Sequence, residues 1–216
     1  MEDGGSESRQ QAWIMVRNAA HPGNTGPGGQ HFGEWTVVLK SNGDETFQYS
    51  SPLWGSEELL DPGSDVSSPG NAKYEAYNSQ EFDAIKVCVS SGQGTGLQSA
   101  NCIPEQAFLE PYVNSAALFD GPFLRQGVVQ EEWHAVFNPS GHKESCGMQR
   151  PGFNTICSDN NKARWGYCAN IPSQDCQEDD SNDADGVIGV GLEGQDCCPM
   201  GGGFTNYFVS NDENGG

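Results

Sequence analysis

Apolar residues in this chain fall in short runs separated by glycine, proline and polar stretches, a spacing that predicts strands rather than long helices. Trp13-Ile-Met-Val16 is the first such run. Trp35-Thr-Val-Val-Leu-Lys40, then Asn42-Gly43, then Thr46-Phe-Gln-Tyr-Ser50 reads as a hairpin, because Asn-Gly supplies the two positive-φ residues of a tight turn. Phe82-Asp-Ala-Ile-Lys-Val-Cys-Val89 alternates, which places Ile85, Val87 and Val89 on one face and Lys86 and Cys88 on the other. Trp133-His-Ala-Val-Phe137 is a further strand candidate. Ala163-Arg-Trp-Gly-Tyr-Cys168 alternates again. Gly186-Val-Ile-Gly-Val-Gly-Leu192 is a thin apolar strand whose glycines permit close backbone approach, and Phe204-Thr-Asn-Tyr-Phe-Val209 reads as the last strand. Helical signals are few. One turn fits Trp54 to Leu60, and Pro104-Glu-Gln-Ala-Phe-Leu109 starts a helix with proline first, interrupted at Pro111 and resumed over Tyr112 to Phe119. His21 to Gly33 and Ser90 to Ser99 are loops. The expected class is α+β, β-rich, with long loops and short helices. Residues 1–33, one strand and a Pro/Gly loop, precede a domain over 34–216.

Cysteine usage adds cross-links to that picture. Cys88, Cys102, Cys146, Cys157, Cys168, Cys176, Cys197 and Cys198 are even in number, and none forms the close C-x-x-C pair of a zinc site. They read as disulfides, hence an extracellular or other oxidising compartment. Connectivity stays open, although Cys88 and Cys102 can close one short loop, and the neighbours Cys197 and Cys198 are expected to take different partners. The opening Met1-Glu-Asp-Gly-Gly is acidic and polar, unlike a secretory leader.

The 216 residues carry a formal net charge of −20. That excludes nucleic acid and anionic membrane surfaces as natural partners, since both attract Lys and Arg. No run of 18 apolar residues offers a membrane span. The charge suits a cation or a basic protein. It is concentrated between Asp175 and Asp185, where Asp175, Glu178, Asp179, Asp180, Asp183 and Asp185 surround Asn182, and no Lys or Arg follows Arg164. Such carboxylates repel one another unless water, salt or a bound cation offsets them. Calcium takes six to eight oxygen ligands of this kind, so Asp175, Asp180, Asn182, Asp183 and Asp185 are the expected metal ligands. The twelve-residue helix–loop–helix frame does not fit, because Gly186 at its sixth position would put Ser181 first and Leu192 last, where acids belong.

Enzyme signatures are weak. Gly189-x-Gly191-x-x-Gly194 matches a dinucleotide pattern, but Gln195-Asp-Cys-Cys-Pro follows where a helix should start. No Gly-x-Ser-x-Gly elbow or phosphate loop occurs, and no carboxylate lies in an apolar run that would raise its pKa for glycosidase work. His134 reads as an ordinary packed or surface side chain. The expectation is a non-enzymatic protein.

Three stretches resemble the fibrinogen-related fold, and more closely its intelectin-like lectins: Trp35-Thr-Val-Val-Leu; Asn71-Ala-Lys-Tyr-Glu-Ala-Tyr-Asn-Ser through Ile85-Lys-Val-Cys-Val89; and Gly152-Phe-Asn, Lys162-Ala-Arg-Trp-Gly-Tyr-Cys-Ala-Asn170, Asp175-Cys and Cys197-Cys-Pro-Met-Gly-Gly-Gly-Phe204. The resemblance runs in patches from Trp35 to Val209. It implies a fibrinogen C-terminal-like α+β domain with disulfides and structural calcium, acting as a calcium-dependent, carbohydrate-binding lectin. It also implies sugar contacts near Asp196, Phe204, Asn206 and Tyr207. Asp196 falls near the place where those lectins carry a histidine, a departure that bears on the sugar site. The alternative is a structural or interaction subunit of a larger assembly that keeps the fold and lacks a sugar site.

Overall fold

The computed structural model describes residues 11–19, 30–90, 96–137, 147–157, 162–170 and 186–193. Its elements are β1 (Ala12–Arg17), β2 (Gln30–Phe32), β3 (Trp35–Ser41), β4 (Ala72–Lys73), α1 (Glu75–Ser79), β5 (Phe82–Val89), β6 (Asn101–Cys102), β7 (Gln106–Tyr112), α2 (Ser115–Phe119), β8 (Leu124–Arg125), α3 (Gln130–Phe137), β9 (Gly147–Ile156), β10 (Lys162–Asn170) and β11 (Gly186–Glu193). The fold is β-rich α+β, with two antiparallel sheets and short helices. Sheet A has the order β2-β3-β1-β5-β6, with β4 on β3 and β7 on β5. Sheet B has the order β11-β10-β9-β8.

β1 lies between β3 and β5, so both its edges are paired. That explains its unbroken apolar run. Trp13 and Met15 enter a cluster with Trp35, Val37, Tyr74, Ala84, Cys88 and Leu97 on one face. Ala12, Ile14 and Val16 enter the main core on the other. β5 divides the same way: Ile85, Val87 and Val89 face the main core, while Ala84 and Cys88 face away. In β3 a bulge opposite Ile14 and Met15 leaves Val38 as the extra residue, so Val38 and Leu39 both reach the main core.

The main core fills the space between the sheets. Phe153, Trp165, Tyr167 and Val190 of sheet B meet the sheet A residues there, with Tyr77, Phe119, Trp133 and Val136 from the helices. Phe153 stacks on Trp165 at 4.7 Å and meets Phe108 of β7 at 6.0 Å, joining the two sheets. Among the described residues no helix is long and apolar enough to cross a membrane.

Four local expectations change. The expected Asn42–Gly43 hairpin turn does not form: Gly43 has φ +79°, but Asn42 does not take the positive φ that the tight turn needs, and no return strand follows. Asp44 instead caps a 3₁₀ turn, Glu45–Phe47, by accepting from the Thr46 amide, and Phe47 is buried against Trp54 at 5.6 Å. β3 already has β1 on one edge and β2 and β4 on the other, so a hairpin partner has nowhere to pair. The expected helix at Pro104 is the strand β7, because Gln106 and Ala107 pair with Ile85 and Ala84. A helix resumes only at α2, where Asn114 Oδ1 accepts from the Ala117 amide. The expected strand Trp133–Phe137 is helical. Glu131 and Glu132 occupy its first turn, a favourable place for acids, and Trp133 and Val136, three residues apart, are both buried. The turn expected within Trp54–Leu60 falls earlier, at Pro52–Trp54. β1, β5, β10 and β11 lie where the pattern places them. Phe204–Val209 lies outside the described residues.

Candidate functional site

β10 and β11 form the antiparallel hairpin from which the acidic stretch departs. Their register runs from Lys162↔Glu193 to Cys168↔Val187 and Ala169↔Gly186. Ala169 and Gly186 are therefore held side by side, and in the sequence the carboxylates of Asp175 to Asp185 fall between them. The glycines make this close pairing possible. Gly189 has φ +148°, and a Cβ there would lie 2.2 Å from the Trp165 carbonyl oxygen. Gly189 and Gly191 thus serve a strand, in agreement with rejecting the dinucleotide motif.

At the base of this connection Cys168 is disulfide-bonded to Cys157, with Cα atoms 5.4 Å apart. Both cysteines pack with Ala163, Val187 and Leu192 on the outer face of sheet B. The other end of the hairpin is clamped to the body. Arg164 Nε donates to the Tyr49 carbonyl at 2.7 Å, and its Nη1 donates to the Phe119 carbonyl and to Asn154 Oδ1. Its guanidinium lies 4.3 Å from the centre of the Tyr49 ring. Glu193 Oε2 accepts from the Ser50 amide at 2.7 Å. Burial pulls the Arg164 pKa below its usual value, although nearby Tyr49, Tyr77, Asp120 and Glu193 act the other way.

The expected ligands Asp175, Asp180, Asn182, Asp183 and Asp185 and the expected sugar contacts Asp196, Phe204, Asn206 and Tyr207 lie outside the described residues. So do Cys146, Cys176, Cys197 and Cys198. Cys88 and Cys102 are bonded as their spacing allowed. Among the described residues no group of three or more His, Cys, Asp or Glu side chains could hold a metal ion.

One feature escaped the sequence reading: two lysines are turned inward. Lys40 is fully buried, and its ammonium donates to Ser64 Oγ, the Asp65 and Ser68 carbonyls and Ser68 Oγ. Lys73, also fully buried, donates to the Leu53 and Ser56 carbonyls and lies 4.6 Å from the centre of the Tyr77 ring. Burial pulls the Lys73 pKa down to about 8, with Glu58 opposing, and lowers that of Lys40 as well. A signal exists for Lys40, which ends the apolar run of β3 where a solvated lysine is out of place. Arg17 is the described cation that pairs with carboxylates, at 2.8 Å to Glu34 and 2.9 Å to Glu105. Lys40, Lys73 and Arg164 thus spend their charge on backbone carbonyls, and the acidic surface keeps its excess. Asp44 is an exception held within the fold: burial pushes its pKa up, but hydrogen bonds from Thr46, Asn71 and Asn42 outweigh this and hold it low.

No protein-family model, curated protein or solved structure matches the chain.

Proposed function

We propose that the chain is a calcium-dependent, non-enzymatic carbohydrate-recognition domain of the fibrinogen-related, intelectin-like kind. The supporting observation is the pairing of Ala169 with Gly186, which brings together, on a disulfide-anchored base, the two ends of the segment whose sequence carries six carboxylates over 175–185. The donor set is all oxygen and strongly anionic, which fits a hard cation. Asp175, Asp180, Asn182, Asp183 and Asp185 would hold it. A calcium ion there would supply a coordination centre for vicinal sugar hydroxyls. Asp196, Asn206, Phe204 and Tyr207 would contribute hydrogen bonds and aromatic packing to the glycan. The two disulfides among the described residues are compatible with an oxidising, extracellular setting.

Thermal unfolding of the oxidised protein with calcium and then with EDTA tests the ion. A ligand that binds only the folded state raises its melting temperature by mass action, by about 2.7 kcal/mol of stability at a hundredfold excess over Kd. A calcium-dependent rise followed by EDTA-sensitive binding on a glycan array is the expected result. No shift, with no glycan bound, would leave the alternative of an interaction subunit docking a basic protein. That reading has an observation of its own: Leu109 stands 102% exposed and Val113 68% exposed beside Glu110.

A further inference from the structure

We infer that Cys88–Cys102 is a thiol–disulfide exchange site, open to a reduced dithiol while the protein stays folded, with Cys102 as the sulfur attacked. The two described disulfides differ in placement. Cys157 is 9% exposed and Cys168 1% exposed, and their bond is packed among Ala163, Val187 and Leu192. In Cys88–Cys102 the two ends are unlike. Cys88 is fully buried in a central run of β5. Cys102 is exposed, as is Asn101, and these are the only two residues of β6. Exchange requires a thiolate to reach a sulfur, so the geometry selects Cys102 as the entry point of the pair.

The chemistry balances with one co-reactant, the dithiol. Its thiolate attacks Cys102 Sγ, a mixed disulfide forms, and the Cys88–Cys102 bond breaks with its electron pair going to Cys88 Sγ, which then takes a proton. The second thiol of the reagent attacks the mixed disulfide and releases Cys102 as a thiol. The protein disulfide is reduced and the dithiol is oxidised. Lys86, on the same face of β5 as Cys88, lies with its ammonium 4.2 Å from the centre of the Trp35 ring, and Trp35 shares a cluster with Cys88. A cation on that side favours the departing thiolate.

The fold is built to survive the cut. β5 keeps its pairing with β1 from Ala84 to Val89. The chain around β6 keeps buried Leu97 and Ile103, and the Ile103 amide still donates to the Val87 carbonyl at 3.0 Å. What reduction releases is the two-residue pairing of Cys88 with Cys102 and of Val89 with Asn101.

The test treats the intact oxidised protein with rising dithiothreitol, quenches with iodoacetamide and reads the alkylated cysteines by peptide mass spectrometry alongside near-ultraviolet circular dichroism. Cys102 is expected to be labelled at about tenfold lower reductant, or less, than Cys157 and Cys168, with buried Cys88 alkylated only slowly behind it and the dichroism unchanged. A short exposure to glutathione, a monothiol that stops at the first step, is expected to leave its adduct on Cys102. Co-labelling of all four cysteines with loss of the dichroism, earlier opening of Cys157–Cys168, or an adduct on Cys88 would each overturn the inference. A Cys102→Ser variant checks the readout: it should give no adduct at this pair and leave Cys88 a buried, slowly alkylated thiol, and rapid Cys88 labelling would also count against it.

Discussion

Sheet A and sheet B reach stability by different means. Sheet A is covered on both faces. Its main-core face carries Ile14, Val16, Val38, Leu39, Ile85, Val87 and Val89, and its other face carries Trp13, Met15, Trp35, Val37, Tyr74 and Leu97. Loops are tied over that second face by polar atoms: Trp13 Nε1 donates to the Val66 carbonyl, Tyr74 Oη to the Ser64 carbonyl, and Lys40 to three residues of the same loop. Sheet B is lopsided. Its inner face holds Phe153, Trp165, Tyr167 and Val190, whereas among the described residues its other face carries a small buried cluster of Cys157, Ala163, Cys168, Val187 and Leu192. Large side chains at β-branched strand positions let sheet A hold itself. Each sheet carries one described disulfide, and sheet B depends besides on a few aromatic contacts and on glycines without which its strands could not approach.

The largest test of this contrast is Phe153→Ala. Phe153 links both sheets through Trp165, Phe108 and Phe119, and truncating a buried phenylalanine costs about 3–5 kcal/mol. In urea unfolding it should exceed Val87→Ala in sheet A, where neighbouring apolar side chains share the load; equal losses would remove the contrast. Next comes Gly189→Ala. Its Cβ would meet the Trp165 carbonyl and it needs a positive φ, so a loss of about 1–3 kcal/mol or more is expected, with calcium affinity falling alongside if the hairpin base positions the acidic connection.

A smaller effect concerns the buried cations. Lys73 has its pKa lowered to about 8 in the fold, against 10.5 as its ordinary value. Between those pH values the unfolded chain binds the extra proton, so stability from this group rises with pH across that window; below it the lysine is charged in both states and its burial cost is complete. The stability of the native protein minus that of Lys73→Met should therefore climb from pH 8 towards pH 10, by at most about 1.4 kcal/mol per unit. A flat difference would mean that the carbonyls of Leu53 and Ser56 keep the ammonium charged. The smallest effect is expected for Leu109→Ser. This side chain is fully exposed, so urea midpoints should move by no more than about 0.5 kcal/mol; a clear gain in solubility would mark it as a contact surface.

Pairing decided which sequence signals survived. The runs Trp13–Val16 and Phe82–Val89 were readable because a strand buried on both faces is apolar throughout, while one with partly exposed positions such as Asp83 and Lys86 alternates. Gly186–Leu192 was readable because glycine in a strand marks close approach. Asn42-Gly43 misled, because Asn42 takes no positive φ and β1, β2 and β4 already occupy the edges of β3. Pro104–Leu109 and Trp133–Phe137 exchanged roles: the first is drawn into a strand by the free edge of β5, and the second is coiled so that Trp133 and Val136 reach the same core. β9 had no alternation to announce it, because Gly152 and Pro151 interrupt its pattern, and only its place between β10 and β8 makes it a strand.

The sequence alone determined the β-rich class, the cross-linked character, the acidic excess and the place where that excess is concentrated, because composition and period-2 patterning are local properties that survive unfolding. Tertiary structure decided the rest. It brought residues 169 and 186 into register, turned Lys40 and Lys73 inward to satisfy carbonyls, and set Cys102 at the surface while Cys88 went into the core. Each of these depends on which distant segments share an edge or a face, and partners far along the chain leave no periodic trace in the residues they select.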